Sequence, residues 1–289
     1  MHPTANYRMP VRNVSARQKV IQAKTINSSS ITLIFTYRTI VPNYIVNLDD
    51  PPENRWHNVA KDKASDITNI MGVLRSFLHE FGYIGDKIFS FVNSDLGKIV
   101  ETLPNPYRDE IIGISKSSNI SLGEIVTYNI FYEIFTVCTS IIAKDDKGNF
   151  YHGRNLDFGL FMGWDVKKHS WKITEALRPV VITVDFQKGG KTVFKSAQMA
   201  GYIGILTAIK PGIFTLSMDE RFDLLDGGYI GVIEWLLGQR KAQWMGFLTR
   251  NVMEKADSYD KAKSMLSETT MLAPAYFILG GNSSNQASL

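Results

Sequence analysis

The sequence has almost no cysteine: Cys138 is the single one among 289 residues. One thiol cannot close an intrachain disulfide, and it is a poor start for a metal site. The five histidines do not supply a metal site either, because they are scattered and give no ligand pair at i, i+3 or i, i+4. The sequence therefore predicts no disulfide framework, no metal and no cofactor.

Long apolar runs and blocks of like charge are also lacking. No stretch reaches the roughly 18 apolar residues of a membrane span. The first apolar run, residues 31–35, is too short for a signal-peptide core, so no clear signal peptide is visible. The net charge is only +4 and the pI about 8.9, and no basic arm indicates a nucleic-acid partner.

The residue pattern changes from helical to strand-like along the chain and predicts an α+β fold. Residues 1–40 are polar and without a period, which predicts disorder. Residues 41–137 are mainly helical in pattern, with Gly82 between two helices and a capping box, Ser121 with Glu124, opening a third. Residues 138–289 alternate as strands, followed by helices and a last strand; the predicted strands are 180–186, 192–194, 201–207, 214–218 and 275–279, and the helices 231–237 and 244–266.

Two interpretations of Cys138 are open on local sequence. The neighbouring run, residues 134–142, is mostly apolar, and free cysteine is among the most buried residue types. Cys138 is then an inert core thiol. The alternative is a reactive nucleophile, and the residues that follow bear on that choice.

Residues 139–155 have the pattern of a β-hairpin. The polar tip is residues 144–149, and Gly148 can supply the positive φ of a tight turn. A hairpin returns the second strand beside the first, so Arg154 and Asp157 can lie near Cys138. A thiol, a guanidinium and a carboxylate are then expected at one end of two paired strands.

No histidine follows His169, which argues against a papain-type cysteine–histidine pair. One arrangement needs no histidine. If the Val137–Cys138 bond is cut, Cys138 gains an α-amine with an ordinary pKa of about 7.7–8, which can act as base for its own thiol. Arg154 would favour the thiolate and Asp157 would orient the ammonium. An ordinary surface ion pair between Arg154 and Asp157 is the alternative.

These residues resemble a known family. The run from Cys138 to Ile141, with residues 152–157, is similar to the N-terminal nucleophile amidases of the acid ceramidase type. The resemblance spans residues 41–283 and favours the ceramidase branch over the N-acylethanolamine-hydrolysing branch. The other segments that carry it are residues 41–49, 55–57, 129–133, 158–164, 191–195, 219–222 and 272–282.

The resemblance implies a lysosomal amidase that hydrolyses ceramide to sphingosine and a fatty acid. It implies an αββα sandwich of the N-terminal nucleophile hydrolase type and self-cleavage between Val137 and Cys138, giving a helical α subunit and a β subunit that starts with Cys138. By motif, Cys138, Arg154 and Asp157 are catalytic, and Glu220 is an acidic residue at the cleft. Further implied partners are a membrane surface and a saposin-like activator, which aromatic residues Phe158, Phe161 and Trp164 would contact. Packing of these aromatic residues in the core is the alternative.

The same resemblance leaves alternatives open. The family continues past Leu289, where it supplies an oxyanion-hole asparagine and a further arginine, so residues 138–289 are expected to be a truncated β subunit. A catalytically impaired form that only binds lipid or a partner is therefore one alternative, and an amidase for N-acylethanolamines is another. Glycosylation sequons stand at Asn27, Asn119 and Asn282, and they matter only in the secretory pathway.

Overall fold

The described part of the chain contains two main β-sheets, a separate two-stranded sheet, and a set of helices that cover one of the main sheets. The computed structural model describes residues 21–26, 30–34, 41–80, 96–134, 137–157, 164–167, 169–220, 242–272, 274–283 and 285–288. The strands are β1 (Ile21–Ile26), β2 (Ser30–Ile34), β3 (Asn43–Asn47), β4 (Val137–Lys144), β5 (Phe150–Asp157), β6 (Trp164–Asp165), β7 (Ser170–Trp171), β8 (Val181–Lys188), β9 (Lys191–Met199), β10 (Thr207–Lys210), β11 (Phe214–Glu220), β12 (Ala275–Gly280) and β13 (Ala287–Ser288).

The helices fall into an N-terminal group and a C-terminal group. They are α1 (His57–Asp62), α2 (Ala64–Glu80), α3 (Leu96–Thr102), α4 (Tyr107–Ser118), α5 (Leu122–Ile134), α6 (Lys172–Leu177), α7 (Met245–Lys255) and α8 (Tyr259–Glu268), with 3-10 turns at Pro52–Asn54 and Arg178–Val180. The predicted capping box of α5 is confirmed, because the Glu124 amide donates to Ser121 Oγ at 3.3 Å. The predicted helix at 231–237 lies outside the described residues.

The two sheets pack face to face. The small sheet has the order β2-β1-β5-β4, and the large sheet the order β13-β12-β11-β10-β9-β8-β3. Strand β11 is buried on both faces: Leu216 and Met218 lie in the core cluster with the helices, whereas Ser217 and Asp219 meet the small sheet. The α+β class is confirmed, and three layers of the predicted sandwich (helices, large sheet, small sheet) lie in the described part of the chain.

The N-terminal region is built into the large sheet rather than resting beside it. Strand β3 pairs in parallel with β8, with Val46 opposite Phe186. The sequence predicts a mainly helical region for residues 41–137, so β3 is an addition to that prediction. Trp56 then packs edge-on against Phe186, with ring centroids 5.7 Å apart, and joins the helical layer to the sheet.

The hairpin predicted around Cys138 is confirmed. Strands β4 and β5 pair in antiparallel register from Val137 opposite Asp157 to Lys144 opposite Phe150. The turn closes on Gly148, whose φ of +84° is the left-handed conformation that favours glycine. The Asp145 side chain accepts the amide hydrogens of Lys147 and Asn149, which fixes the tip.

Disorder is predicted for residues 1–40, of which the structure describes residues 21–26 and 30–34. These residues are strands β1 and β2, and β1 pairs in antiparallel register with both β2 and β5. One predicted strand is wrong. A strand is predicted for residues 201–207, but only Thr207 belongs to one. Gly201 has a φ of +87°, and the Asn129 side chain bonds the loop backbone at Gly201 and Ile203 in place of a strand partner.

None of the helices in the ranges given above is both long and apolar enough to cross a bilayer.

Candidate active site

The start of the β4–β5 hairpin brings Cys138 and Arg154 into contact. Ser140 lies opposite Arg154 in the register, and Cys138 is two residues before Ser140, so the three share one face of the small sheet. The Nη2 atom of Arg154 donates to Cys138 Sγ at 2.7 Å. A cation at a thiol favours the thiolate, which is the nucleophilic form. The sequence-based pairing of Cys138 with Arg154 therefore matches the geometry.

Burial makes that contact electrostatically strong. Arg154 is 5% exposed, and Cys138 is half-buried. Coulomb interactions are stronger where water is excluded, so a guanidinium in this position acts on the sulfur with little screening. The thiol is also partly accessible, as a nucleophile has to be.

Asp219 on β11 holds the other side of the Arg154 guanidinium. The Nε atom of Arg154 donates to the Met218 carbonyl at 3.1 Å and lies 3.4 Å from Asp219 Oδ1. Asp219 is 7% exposed, so this carboxylate is a buried counter-charge for the arginine. The arginine therefore bridges the two sheets, with the large sheet at Nε and the Cys138 sulfur at Nη2.

Sequence reasoning missed Asp219 and the polar residues next to it. Ser140 Oγ donates to Asp219 Oδ1 at 2.9 Å and lies 2.7 Å from Ser217 Oγ. A signal was available: Thr215, Ser217 and Asp219 alternate with apolar residues along a strand buried on both faces. Polar residues at i, i+2 and i+4 in such a strand need buried partners, which β4 and β5 supply.

His152 also lies between the sheets. Its Nδ1 is 2.8 Å from Thr215 Oγ1, and its Nε2 is 2.8 Å from Ser217 Oγ. Burial, and next the positive charge of Arg154, lower the pKa of His152 to about 4. Both ring nitrogens are engaged by hydroxyls of β11, in keeping with the sequence argument against a histidine base.

The other predicted site residues are placed less completely. Asp157 is the last residue of β5 and pairs with Val137, so it lies at the register position opposite the predicted cleavage bond. Glu220 ends β11, opposite Ala275. Among the sequons, Asn119 and Asn282 are exposed, whereas Asn27 lies outside the described residues. Phe158 and Phe161 lie outside them as well.

A pocket opens beside Arg154 at this end of the sandwich. It is a small crevice with a volume of about 20 Å³. Its lining combines the arginine with mainly apolar side chains, contributed by Leu156, Val181, Ala197, Met199 and Leu206, with Gln198 and Thr207. The arginine that contacts the sulfur is thus also a wall of an apolar cavity. Within the described ranges, no cluster of three histidine, cysteine or acidic side chains is placed to hold a metal ion.

Two family models match separate segments of the chain, and one of these segments begins at the site. The model of the linear amide C–N hydrolases, choloylglycine hydrolase family, matches residues 138–285, and so begins at Cys138 itself. The model of the beta subunit of N-acylethanolamine-hydrolyzing acid amidase matches residues 39–103. That name differs from the α label that the resemblance gives to the same segment. Residues 41–137 form the N-terminal region, and residues 138–289 form the C-terminal region.

Individual relatives agree with the family models. The chain is 49% identical to acid ceramidase from Homo sapiens over 251 residues, covering 87% of this chain and 63% of that protein. It is 46% identical to acid ceramidase from Mus musculus over the same length and coverage. The chain thus spans about 63% of the length of these relatives.

Among solved structures, a Caenorhabditis elegans ortholog of N-acylethanolamine-hydrolyzing acid amidase is similar, with 28% identity and a TM-score of 0.41 over 51% of this chain and 56% of that one. The choloylglycine hydrolase model covers just over half of the 289 residues. The family resemblance predicted from the sequence is confirmed by the family models and the relatives. The chain belongs to the choloylglycine hydrolase family of linear amide C–N hydrolases.

Proposed function

We propose that the chain is an amidase that hydrolyses the N-acyl amide of ceramide, with Cys138 as an N-terminal nucleophile freed by cleavage of the Val137–Cys138 bond. The observation that carries this proposal is the 2.7 Å contact between Arg154 Nη2 and Cys138 Sγ, at the residue where the family model begins. The identity to acid ceramidases supports ceramide as the substrate.

Self-cleavage would use the same sulfur. Cys138 Sγ attacks the carbonyl carbon of Val137, a C–S bond forms, and the C–N bond between the two residues breaks. The thiol hydrogen passes to the departing nitrogen, which becomes the α-amine of Cys138. Water then hydrolyses the thioester, leaving a carboxylate on Val137 and restoring the thiol. The backbone position of Asp157, opposite Val137, supports its assignment as the group that orients the new ammonium.

Turnover of the lipid would repeat this chemistry on an external amide. The α-amine of Cys138 accepts the thiol hydrogen, and the sulfur attacks the acyl carbon. Sphingosine leaves as the amine with that hydrogen, and water then releases the fatty acid from the thioester. Arg154 favours the thiolate in each round, and Glu220 is proposed as an acidic residue at the cleft.

The compartment and accessory partners follow from the same proposal. We infer a lysosomal enzyme that meets ceramide at a membrane surface with a saposin-like activator. We also infer that both regions of the chain stay together as two subunits after the cut. Asn119 and Asn282 are exposed, which is compatible with glycans along the secretory route.

The decisive experiment separates processing from turnover. Purified protein is incubated at acid pH, and its amino termini are sequenced over time. A new terminus at Cys138 is expected, and Cys138→Ala should abolish it. A single uncut chain after prolonged incubation would reject self-cleavage. Fluorescent ceramide and a fluorescent N-acylethanolamine are then compared on the same sample; faster release from the ethanolamide would reject ceramide as the preferred substrate.

A further inference from the structure

A line of buried polar side chains runs between the two sheets and ends at the site. It connects Thr215, His152, Ser217, Ser140 and Asp219 through successive contacts of 2.8, 2.8, 2.7 and 2.9 Å. All of them except Ser140 are at most 9% exposed. Polar groups removed from water in this way are costly unless each is hydrogen-bonded. The line is therefore a specific feature of the interface and not a chance surface contact.

The direction of the hydrogen bonds follows from counting hydrogens, starting at Asp219. A carboxylate only accepts, so the single hydroxyl hydrogen of Ser140 is used at Asp219. The hydrogen between Ser140 and Ser217 must then come from Ser217. Ser217 in turn has no hydrogen left for His152, so His152 Nε2 must carry one and donate it.

The same count fixes the tautomer of His152. Its pKa, lowered to about 4 by burial and by Arg154, makes the ring neutral at ordinary pH. A neutral ring with hydrogen on Nε2 has Nδ1 as an acceptor, so the single Thr215 hydroxyl hydrogen is assigned to Nδ1 at 2.8 Å and not to the Gly280 carbonyl, which lies farther away at 3.2 Å. The result is a one-way relay from Thr215 through His152, Ser217 and Ser140 to Asp219.

We propose that this relay positions Arg154 against Cys138, with Ser140, Ser217, His152 and Asp219 acting as positioning residues for the nucleophile. Asp219 is the point where the relay meets the site, because its Oδ1 receives both Ser140 Oγ and, more distantly, Arg154 Nε. A carboxylate fixed by the relay fixes the guanidinium, and the guanidinium fixes the sulfur. The inference deepens the proposed function, since it takes Cys138 as the nucleophile.

The close approach of the strands shows how tightly the relay is enclosed. A Cβ on Gly280 would lie 2.7 Å from Thr215 Oγ1 and 3.2 Å from a methyl group of Ile142. There is no space for a side chain where β12 passes the end of the relay. Fully bonded polar networks in such closed sites hold their members in one arrangement.

The first test reads the relay directly. Histidine labelled with ¹⁵N is incorporated into the Cys138→Ala chain, which stays uncut, and the ring nitrogens are observed by NMR at neutral pH. The His152 signals are assigned by their loss in His152→Gln. Hydrogen on Nε2 is expected. Hydrogen on Nδ1, or a mixture of tautomers, would overturn the relay.

The second test reads the position of Arg154. Cys138 is the only thiol, so the rate of its alkylation by iodoacetamide at neutral pH reports its thiolate without interference. Ser140→Ala should slow alkylation by about two- to tenfold, the usual effect of losing one hydrogen bond. Thr139→Ala is the matched control, because Thr139 is the exposed next residue on β4, and it should leave the rate unchanged.

A conservative variant separates relay from packing. His152→Gln keeps an amide N–H for Ser217 and an acceptor for Thr215, so it should alkylate at nearly the parent rate. His152→Leu keeps volume but breaks the relay, and it should slow alkylation like Ser140→Ala. If the leucine variant does not fold, Ser140→Ala against Thr139→Ala decides. Equal rates in that pair would overturn the inference, and so would a parent chain that resists alkylation.

These readouts are independent of turnover. Relay-dependent alkylation in a chain that never hydrolyses an amide would retain the positioning role and reject the proposed function. Amide hydrolysis that is unaffected by Ser140→Ala, with unaffected alkylation, would retain the function and reject the relay.

Discussion

Two buried arginine–carboxylate clusters lie on opposite faces of the large sheet, and they are closed to different degrees. On the helical face, Glu110 accepts from Arg55 at 2.9 Å, from Trp56 Nε1 at 2.6 Å and from Arg250 at 3.3 Å. On the other face, Asp219 meets Ser140 and Arg154, and Arg154 extends to Cys138. The helical cluster around Glu110 is closed, because its charged groups contact one another, whereas the cluster around Asp219 extends to a half-buried thiol.

The helical cluster is saturated. Arg250 is fully buried, pairs with Glu110 and Glu254, donates to the Ile203 carbonyl and stacks 4.4 Å from the Phe186 ring centroid. A guanidinium satisfied in this way stabilises packing. It also joins the two regions of the chain, since Glu110 belongs to the N-terminal region and Arg250 to the C-terminal region. The proposed cut after Val137 would therefore leave a non-covalent anchor intact.

The contrast teaches that similar chemistry serves two purposes according to what the arginine faces. Where its donors all meet the protein's own acceptors, the cluster contributes stability. Where one donor meets sulfur, as in the Asp219 cluster, the proposed contribution of the cluster is reactivity. Substitutions in the two clusters should accordingly change different observables, which the following predictions test.

The largest expected effect is a loss of stability when the closed helical cluster loses Glu110. Glu110→Ala removes the carboxylate from two arginines and an indole, and leaves Arg250 buried without its main counter-charge. The free energy of unfolding should fall by about 3–5 kcal/mol. Urea denaturation in a Cys138→Ala background measures it. Glu175→Ala is the control, because its ion pair with Arg178 is about half exposed and should cost less than about 1 kcal/mol. Similar losses in both variants would contradict the contrast.

Acidification should weaken the contacts that His152 makes between the two sheets. The folded-state pKa of His152, about 4, lies below its ordinary value of 6.5, so folding favours the neutral ring. Its contribution is fully present above about pH 6.5 and is lost as the pH falls to about 4, amounting to about 3 kcal/mol. The difference in unfolding free energy between the parent and His152→Gln, followed from neutral to acid pH, isolates this change. Parallel profiles would reject it.

Sequence reasoning reached the hairpin and the pairing of Cys138 with Arg154 because both depend on local pattern. The turn at Gly148 and the period of two along β4 and β5 are readable within a few residues. The family resemblance also predicted the fold class. Helix α5 was equally readable, since its capping box lies next to its apolar face.

The remainder depends on contacts between residues far apart in the chain. Asp219 is 65 residues from Arg154, and Arg250 is 140 residues from Glu110. No local period indicates which buried carboxylate will meet which arginine. Strand β3 was missed for the same reason, because its pairing partner β8 lies far along the chain from it. The loop at 201–206 resembles a strand until Asn129 bonds its backbone.

A smaller effect is expected from Trp56→Phe, which removes one donor from the closed cluster and keeps an aromatic ring against Phe186. Loss of the 2.6 Å bond to Glu110 Oε2 should lower the unfolding free energy by about 2 kcal/mol. The alkylation rate of Cys138 should stay at the parent value, because the large sheet separates the two clusters. A slower alkylation would mean that the clusters are coupled.

The smallest effect is expected when the positive charge of Arg154 is kept and only its several guanidinium donors are lost. In Arg154→Lys, a single ammonium cannot serve the Met218 carbonyl and Cys138 at once, as Nε and Nη2 do in arginine. Alkylation of Cys138 should slow by only about three- to fivefold, because one positive charge still lies near the sulfur. Arg250→Lys is the matched exchange in the closed cluster, and it should lower the urea midpoint without changing alkylation. If Arg250→Lys slows alkylation as much as Arg154→Lys does, the division between a stabilising and a reactive cluster is wrong. If Arg154→Lys leaves alkylation unchanged, the charge of Arg154 matters to the thiol and its geometry does not.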